Sequence, residues 1–401
     1  MTTDAHHKVL IVGGGSAGVS VAARLMRQGI RDIGLVEPST THYYQPLWTL
    51  VGGGRARAAE SARTQQSVMP KGVAWIRSRV ETVTPKERTV GLADGRTIGY
   101  DRLVVCPGIQ LDWDAVPGMA QAVAAPHTSS NYSYELAPKT WDLIRSMRSG
   151  TAVFTMPSGP IKCGGAPQKI AYLAADYWRE QGVLKDIRVV LVLPTPGMFG
   201  VPVFATELER IAARYGIEVH TNSELVEVDP DGRDAMVINH ESKTKDSIRF
   251  DMMHLVPPQS APGWLKVTEL ADPANPAGYV EIDKHSMRHA RHPEIFALGD
   301  AGSSPNSKTG AAVRKQAPVV ARNVAASLAG AESLPASYDG YSSCPITTSR
   351  HHMLLAEFDY SLRHRPTFPV LDTTRERRDM WYLKRYGLPF LYWNLMLRGR
   401  A

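Results

Sequence analysis

Apolar positions fall into two alternating patterns along this chain. Short runs rich in valine and isoleucine read as strands buried on both faces, and each leads through a loop into a segment of helical period. Lys8 to Val12 is the first run, and Gly13-Gly-Gly15-Ser16-Ala17-Gly18 separates it from a helical pattern over Val19 to Gln28. A second strand spans Asp32 to Val36, and one further strand is expected over Trp75 to Val83. Thr89–Leu92 and Thr97-Ile98 flank Asp94-Gly95, a hairpin signal. Tyr100 to Val105 then runs into Cys106-Pro-Gly108. From about Ser146 the plan restarts, with a strand at Thr151–Met156, a helix at Ile170–Arg179, a strand at Ile187–Leu193 and a helix at Phe204–Tyr215. Short strands follow within Ile217–Asp229 and at Asp251–Val256. Pro257 to Pro262 reads as a crossover back to the first unit, where Pro293–Asp300 is a strand and Ala311–Leu328 a helix. Beyond Tyr338 lie a strand-like Met353–Tyr360 and two short helices, split by Pro389, within Asp379–Arg400.

The first loop carries its own chemistry. Gly13 allows a tight turn, Gly15 lets the backbone approach a pyrophosphate, and Gly18 lets helix pack on strand, with Ser16 and Ala17 opening the helix. Glu37 ends the next strand, 19 positions after Gly18, where a carboxylate accepts from ribose hydroxyls. A glycine-rich turn without ligand is the competing reading. Thr41 to Leu50 is dense in aromatics and is expected beside the nucleotide, with Gln45 either reaching it or packing in the core. The Val80 backbone is expected at the adenine edge. Tyr100–Gly108 looks like the second FAD signature of two-dinucleotide flavoproteins, with Cys106 in a small, buried position rather than a redox one. The strand ending Gly299-Asp300 looks like the third, placing Asp300 at a ribityl hydroxyl. Lys308-Thr309-Gly310 opens a helix whose N-terminal amides suit a developing flavin anion. Three signatures in this order predict FAD. The fold class is therefore α/β, with two Rossmann-like dinucleotide-binding domains and a C-terminal amphipathic, membrane-associating segment. The boundaries expected are 1–145 with 263–335 for FAD, 146–262 for the second domain, and 336–401 for the remainder.

The second strand–loop–helix junction has no GxGxxG. Lys162-Cys163-Gly164-Gly165-Ala166-Pro167 stands there instead, a cysteine between Pro160 and Pro167. The reading is a nicotinamide site exchanged for thiol chemistry. Cys344 lies 181 positions further on, also beside a proline and also expected in a loop; spacing alone does not pair the two. The three cysteines are too few for a disulfide framework and lack metal-ligand spacing, so no metal is expected. Composition is ordinary globular, 43% hydrophobic and 21% charged. The net charge of +7 belongs mostly to Ser361–Ala401, with nine Lys/Arg against three Asp/Glu; the rest of the chain has 37 against 36. Trp381, Tyr382, Tyr386, Phe390, Tyr392 and Trp393 interleave there with Lys384, Arg385, Arg398 and Arg400. That mixture suits a helix lying in a bilayer interface better than a phosphate-tracking stripe, so nucleic acid is set aside; docking on the core is the alternative. No targeting pattern opens the chain and no run of about 18 apolar residues is present, so no spanning helix is expected.

Five stretches carry a more specific resemblance: HYYQPLWTLVG at His42–Gly52, IKCGGAPQKIAYL at Ile161–Leu173, DGYSSCPITT at Asp339–Thr348, LAEFDY at Leu355–Tyr360 and LPFLYWNLMLRG at Leu388–Gly399. They resemble the sulfide:quinone oxidoreductases of mitochondria and related bacteria. The resemblance implies FAD, with Cys163 and Cys344 as a redox pair on one flavin face and Lys169 near the reactive cysteine. It implies hydrogen sulfide as donor, ubiquinone or menaquinone on the other face, and a small thiol or sulfite as sulfur acceptor. By the same resemblance, Cys344 is expected to meet the flavin and Cys163 to carry the sulfane sulfur. Phe358 and Phe390 are expected to line the quinone ring. The implied setting is peripheral, on the cytoplasmic face of a bacterial inner membrane, with a homo-oligomer compatible with it. Related mitochondrial enzymes carry a further tail after Leu-Arg-Gly, so weaker attachment is expected here. An NADH:quinone oxidoreductase, a sulfide dehydrogenase passing electrons to a cytochrome, and a non-catalytic flavin carrier are the competing readings.

Overall fold

The computed structural model describes residues 3–401. Ala5–Val12 sits in the middle of a seven-stranded sheet, parallel to Ile33–Val36 on one side and to Thr97–Val105 on the other. Val9 to Val12 are buried because both faces of that sheet are covered. Helix α1 (Ser16–Arg27) turns its Val19, Val21, Ala22 and Leu25 inward. The returning chain adds Ile295–Ala297 beside Thr97–Val105. Trp75–Val83 is two strands, not the one expected. Ala74–Ile76 pairs with Ile33–Val36, whereas Val80–Thr84 pairs antiparallel with Thr89–Leu92. A tight turn at Ser78, bonded back to the Ile76 carbonyl, separates them.

The second sheet is parallel and five-stranded, in the order Thr128–Ser129, Met252–His254, Gly150–Thr155, Ile187–Val192, Glu218–His220. Helix α2 (Ala166–Glu180) follows the central strand Gly150–Thr155 and buries Ile170, Leu173 and Trp178. Ser223–Asp229, Asp234–Asn239 and Lys245–Arg249 form a separate antiparallel sheet, of which only the first strand was read from sequence. Helix α3 (Gly310–Leu328) is capped by the Thr309 side chain, which accepts from the Ala312 amide.

Ser342–Thr347 and Met353–Phe358 form an antiparallel hairpin, with Cys344 opposite Ala356. Cys344 is therefore on a strand rather than in a loop. Pro345 is tolerated because the ribbon has only two strands and leaves an edge free. Alternation gives the hairpin two faces. Cys344, Ile346, Leu354, Ala356 and Phe358 join the core under the second sheet, and Met353 and Leu355 pack with Met380 and Trp381 of the C-terminal stretch. That stretch is helical from Arg378 through Met396 without a break at Pro389. Leu383–Gly387 and Tyr392–Met396 are widened π-type turns, and Pro389 falls in the turn between them. The stretch docks on the core through Met380, Trp381, Tyr392, Trp393 and Met396. Its other side leaves Tyr382, Tyr386 and Phe390 exposed at 50, 56 and 62%. Among the described residues, no helix is long and apolar enough to cross a membrane.

Candidate active site

The loops at the carboxyl ends of the first sheet, the Cys163 loop, the start of α3 and the C-terminal region enclose one cavity of about 550 Å³. Gly13, Gly15, Ser16, Ala17, Glu37, Gln45, Gly108, Cys163, Lys169, Asp300, Lys308, Thr309 and Gly310 all line it. Five expected site residues do not. Gly18 packs against the Gly13 carbonyl, where no Cβ would fit. Val80 is bound into its strand pairing with Leu92. Cys344 is buried behind the wall, between the lining residues Ser343 and Pro345. Phe358 packs edge-on against Phe199, at 5.6 Å between ring centres, on the far face of its hairpin. Phe390 points outward. Pro345, Leu355, Phe368, Leu383, Leu388 and Leu391 supply the apolar wall instead.

At the nucleotide end, Glu37 accepts from the amides of Gly14 at 2.7 Å and Ser39 at 2.8 Å. Burial raises its pKa despite those bonds. Gly13 has φ +103°, and a Cβ there would meet the Cys106–Pro107 backbone. Gly15 has open space where a Cβ would stand. Ser16 Oγ lies 2.8 Å from the Tyr392 hydroxyl, which lies 2.5 Å from His42 Nε2. Burial pushes His42 down to about 4, so the ring is neutral. This link ties the C-terminal stretch to the glycine loop across 376 residues. No local pattern marks Tyr392 or His42 for this link, although both stand in stretches that carry the family resemblance.

Asp300 faces the cavity with its pKa raised by burial, against the pull of Lys308 and Lys162. Lys308 Nζ donates to the Asp300 carbonyl at 2.7 Å and to that of Gly302 at 3.1 Å, above the Tyr279 ring. Lys162 Nζ donates to Gln45 Oε1 at 2.8 Å. Burial pushes both lysines down to about 8.

The sulfur end is built by the Cys163 loop. Cys163 holds the left-handed conformation at φ +53°. Its amide donates to the Lys308 carbonyl at 2.8 Å, and its carbonyl accepts from Ala166 N at 2.8 Å and the Tyr132 hydroxyl at 3.2 Å. One turn into α2, Lys169 Nζ donates to Cys163 Sγ at 2.9 Å. Gly165 gives Cys344 its approach: a Cβ on Gly165 would sit 2.6 Å from Cys344 Sγ. Both cysteines are free thiols. The Cys344 thiol donates to Cys163, and with Lys169 and Lys384 this holds Cys163 well below the ordinary thiol range. The same bond, with burial, pushes Cys344 well above it. Lys169 is raised by the two sulfurs, and burial pushes Lys384 down to about 7. Lys384 Nζ donates to the Pro345 carbonyl at 3.1 Å. Lys384 stands four positions from both Met380 and Leu388, and a lysine in that apolar helical spacing was a legible signal for it. Cys163 lines the cavity, whereas Cys344 lies behind it.

A glycine-loop sheet, a second parallel sheet and a cysteine pair at one cavity define a pyridine nucleotide-disulphide oxidoreductase, and residues 7–315 match that family. Within it, the chain belongs to the sulfide:quinone oxidoreductases. It is 38% identical to the mitochondrial sulfide:quinone oxidoreductase of Mus musculus over 99% of this chain and 88% of that protein. It is 39% identical to the mitochondrial enzyme of Dictyostelium discoideum over 98% of this chain and 86% of the relative. The solved structure of the sulfide:quinone oxidoreductase from the hyperthermophilic bacterium Aquifex aeolicus shares the fold, with a TM-score of 0.83 at 17% identity over 99% of this chain and 92% of that one. FAD is the cofactor of this family, and the cavity fits it. The open backbone at Gly15, the amide-fixed carboxylate of Glu37 and the Asp300 carboxylate offer the partners that a dinucleotide requires.

Proposed function

We propose that sulfide is oxidised at the Cys163–Cys344 pair and that the electrons leave through quinone held against the C-terminal wall. The observation that carries this reading is the ammonium of Lys169 at 2.9 Å from Cys163 Sγ, with Cys344 in contact, where a nicotinamide loop would otherwise lie. Starting from the disulfide, hydrosulfide attacks one sulfur; one S–S bond breaks, another forms, and a persulfide and a thiolate result. The thiolate of lower pKa is the better leaving group. Cys163 therefore departs, stabilised by Lys169, and Cys344 receives the sulfur. A small thiol or sulfite then takes the outer sulfur atom, leaving two thiolates. Bound FAD supplies the two-electron acceptor that returns the pair to the disulfide. Gly13 to Ala17, Glu37, Asp300 and Thr309-Gly310 would hold the cofactor.

Quinone, ubiquinone or menaquinone, is assigned to the wall of Leu355, Phe368, Leu383, Leu388 and Leu391. The exposed stripe of Tyr382, Tyr386 and Phe390 supports a peripheral seat on the membrane surface beside that wall, on the cytoplasmic face of a bacterial inner membrane. Anaerobic sulfide titration tests the thiol chemistry. Cys163→Ser and Cys344→Ser each retain FAD yet lose rapid bleaching by sulfide; wild-type bleaching by either variant overturns the reading. Steady-state turnover with sulfide, a short-chain quinone and each candidate acceptor in turn identifies the partners.

A further inference from the structure

The hairpin that carries Cys344 turns its opposite face to the cavity. Tyr341, Ser343, Pro345, Leu355 and Glu357 line the cavity on that face, together with Thr367 from the following loop. Glu357 is the one acid of the hairpin strands, and it is only 1% exposed. Burying a carboxylate in an otherwise apolar wall is costly unless it is bonded. Here it is fully bonded: Oε1 accepts from the Tyr341 hydroxyl and from Thr367 Oγ1, and Oε2 accepts from Thr367 N at 2.9 Å. Tyr341 and Thr367 hydroxyls are also 3.2 Å apart. Tyr341 is buried, whereas Thr367 is exposed at the surface. The three side chains thus form a hydrogen-bonded line from solvent, through a buried carboxylate, to a phenol on the cavity wall. Among the described residues, no cation pairs with this carboxylate. Lys315 of α3 stands over the Tyr341 ring instead, 5.5 Å from its centre.

We infer that Glu357 and Tyr341 are the proton relay for quinone reduction. This rests on the quinone assignment above. Quinone becomes quinol by gaining two electrons and two protons. The electrons come from sulfide oxidation; the protons come from solvent, one at a time. Tyr341 gives its hydroxyl proton to the reduced quinone oxygen as Glu357, protonated from water at Thr367, restores the phenol. Glu357 returns to the carboxylate after each transfer. A sealed apolar wall would have no such supply, and burial alone does not call for a chain of three exchangeable protons.

The test separates the two half-reactions. Wild-type enzyme, Glu357→Gln and Tyr341→Phe are each reduced anaerobically with sulfide, then mixed with a short-chain ubiquinone. Bleaching by sulfide is expected within twofold of wild type in both variants. Reoxidation by quinone is expected to slow at least tenfold, with a solvent deuterium isotope effect larger than that of the wild type. Tyr341→Phe keeps the ring in place, so it stands in if Glu357→Gln does not fold. Glu357→Asp is expected to recover part of the rate. Wild-type reoxidation in the variants overturns the relay, and so does equal slowing of both half-reactions, which marks a structural role. Failure of quinone to reoxidise the wild-type enzyme overturns the quinone assignment itself.

Discussion

Gly13–Gly18 and Pro160–Gly165 occupy equivalent junctions, each between a central parallel strand and the helix that follows it. Both need one residue in the left-handed region. The first loop puts glycine there, at φ +103°; the second puts Cys163 there, at φ +53°. The first loop is open at Gly15, with a carboxylate, Glu37, bonded to its amides. The second is filled: Cys344 fits against Gly165, and Lys169 reaches back to the Cys163 sulfur. One backbone plan therefore serves two chemistries. Where side chains withdraw, a dinucleotide fits; where a thiolate and an ammonium fill the same space, a pyridine nucleotide is replaced by sulfur.

Adding a methyl group to each loop should break the molecule in two different ways. Gly13→Ala collides with the Cys106–Pro107 backbone and forces an L-residue to φ +103°. The expected result is protein purified without the flavin absorbance. Gly165→Ala presses on Cys344 Sγ instead, 2.6 Å from the new Cβ. That variant should retain FAD and bleach with sulfide about a hundredfold more slowly, because a misplacement of this size disturbs the reacting geometry. Equal loss of flavin from both variants would end the distinction drawn between the loops.

The cation gives a smaller, pH-dependent effect. Lys169 lowers the Cys163 pKa, so removing its charge raises it. In Lys169→Met, the thiolate should persist only at higher pH and be lost as pH falls through the raised value. Followed across pH, alkylation of Cys163 by iodoacetamide should show its midpoint about one pH unit higher, so that below the wild-type midpoint the rate falls about tenfold. The profile of the variant should lie to the alkaline side of the wild type. An unchanged profile would assign the low pKa to Cys344 and Lys384 alone.

Much of this contrast was legible in the sequence because it rests on local rules. Gly13, Gly15 and Glu37 have fixed spacing around a strand and a helix, and Cys163 interrupts a position where a motif was due. What failed depended on register or tertiary pairing. Phe358 was expected at the quinone, but the pleat turns Phe358 to the core with Cys344 and gives the cavity its neighbour Glu357. A one-residue shift along a strand changes the face completely. Val80 was read as part of a single long strand, but the tight turn at Ser78 gives it a different partner. Pro389 was read as a break; the π-type turns on either side carry the helix through. Tyr392 reaches Ser16 only because the C-terminal stretch docks on the glycine loop, which no local pattern encodes.

The smallest effect is the one most particular to Cys163. An L-residue held in the left-handed region costs about 1–2 kcal/mol, and glycine relieves that cost while giving up about 0.5–1 kcal/mol of unfolded-state entropy relative to alanine. At ordinary positions, alanine therefore stabilises relative to glycine. At Cys163, with φ +53°, the order should reverse. Cys163→Gly and Cys163→Ala both remove the sulfur, the bond from Lys169 and the partner of Cys344, so those losses cancel in the difference between them. Glycine is expected to be more stable than alanine by about 1 kcal/mol, measured by chemical denaturation with FAD saturating both variants, since unequal loading would shift the apparent stability by mass action. The same pair of substitutions at a residue of α2 with ordinary helical geometry, such as the surface position Arg179, should favour alanine. If alanine also wins at position 163, the loop is not strained, and its left-handed turn is no obstacle that catalysis had to impose on a side chain.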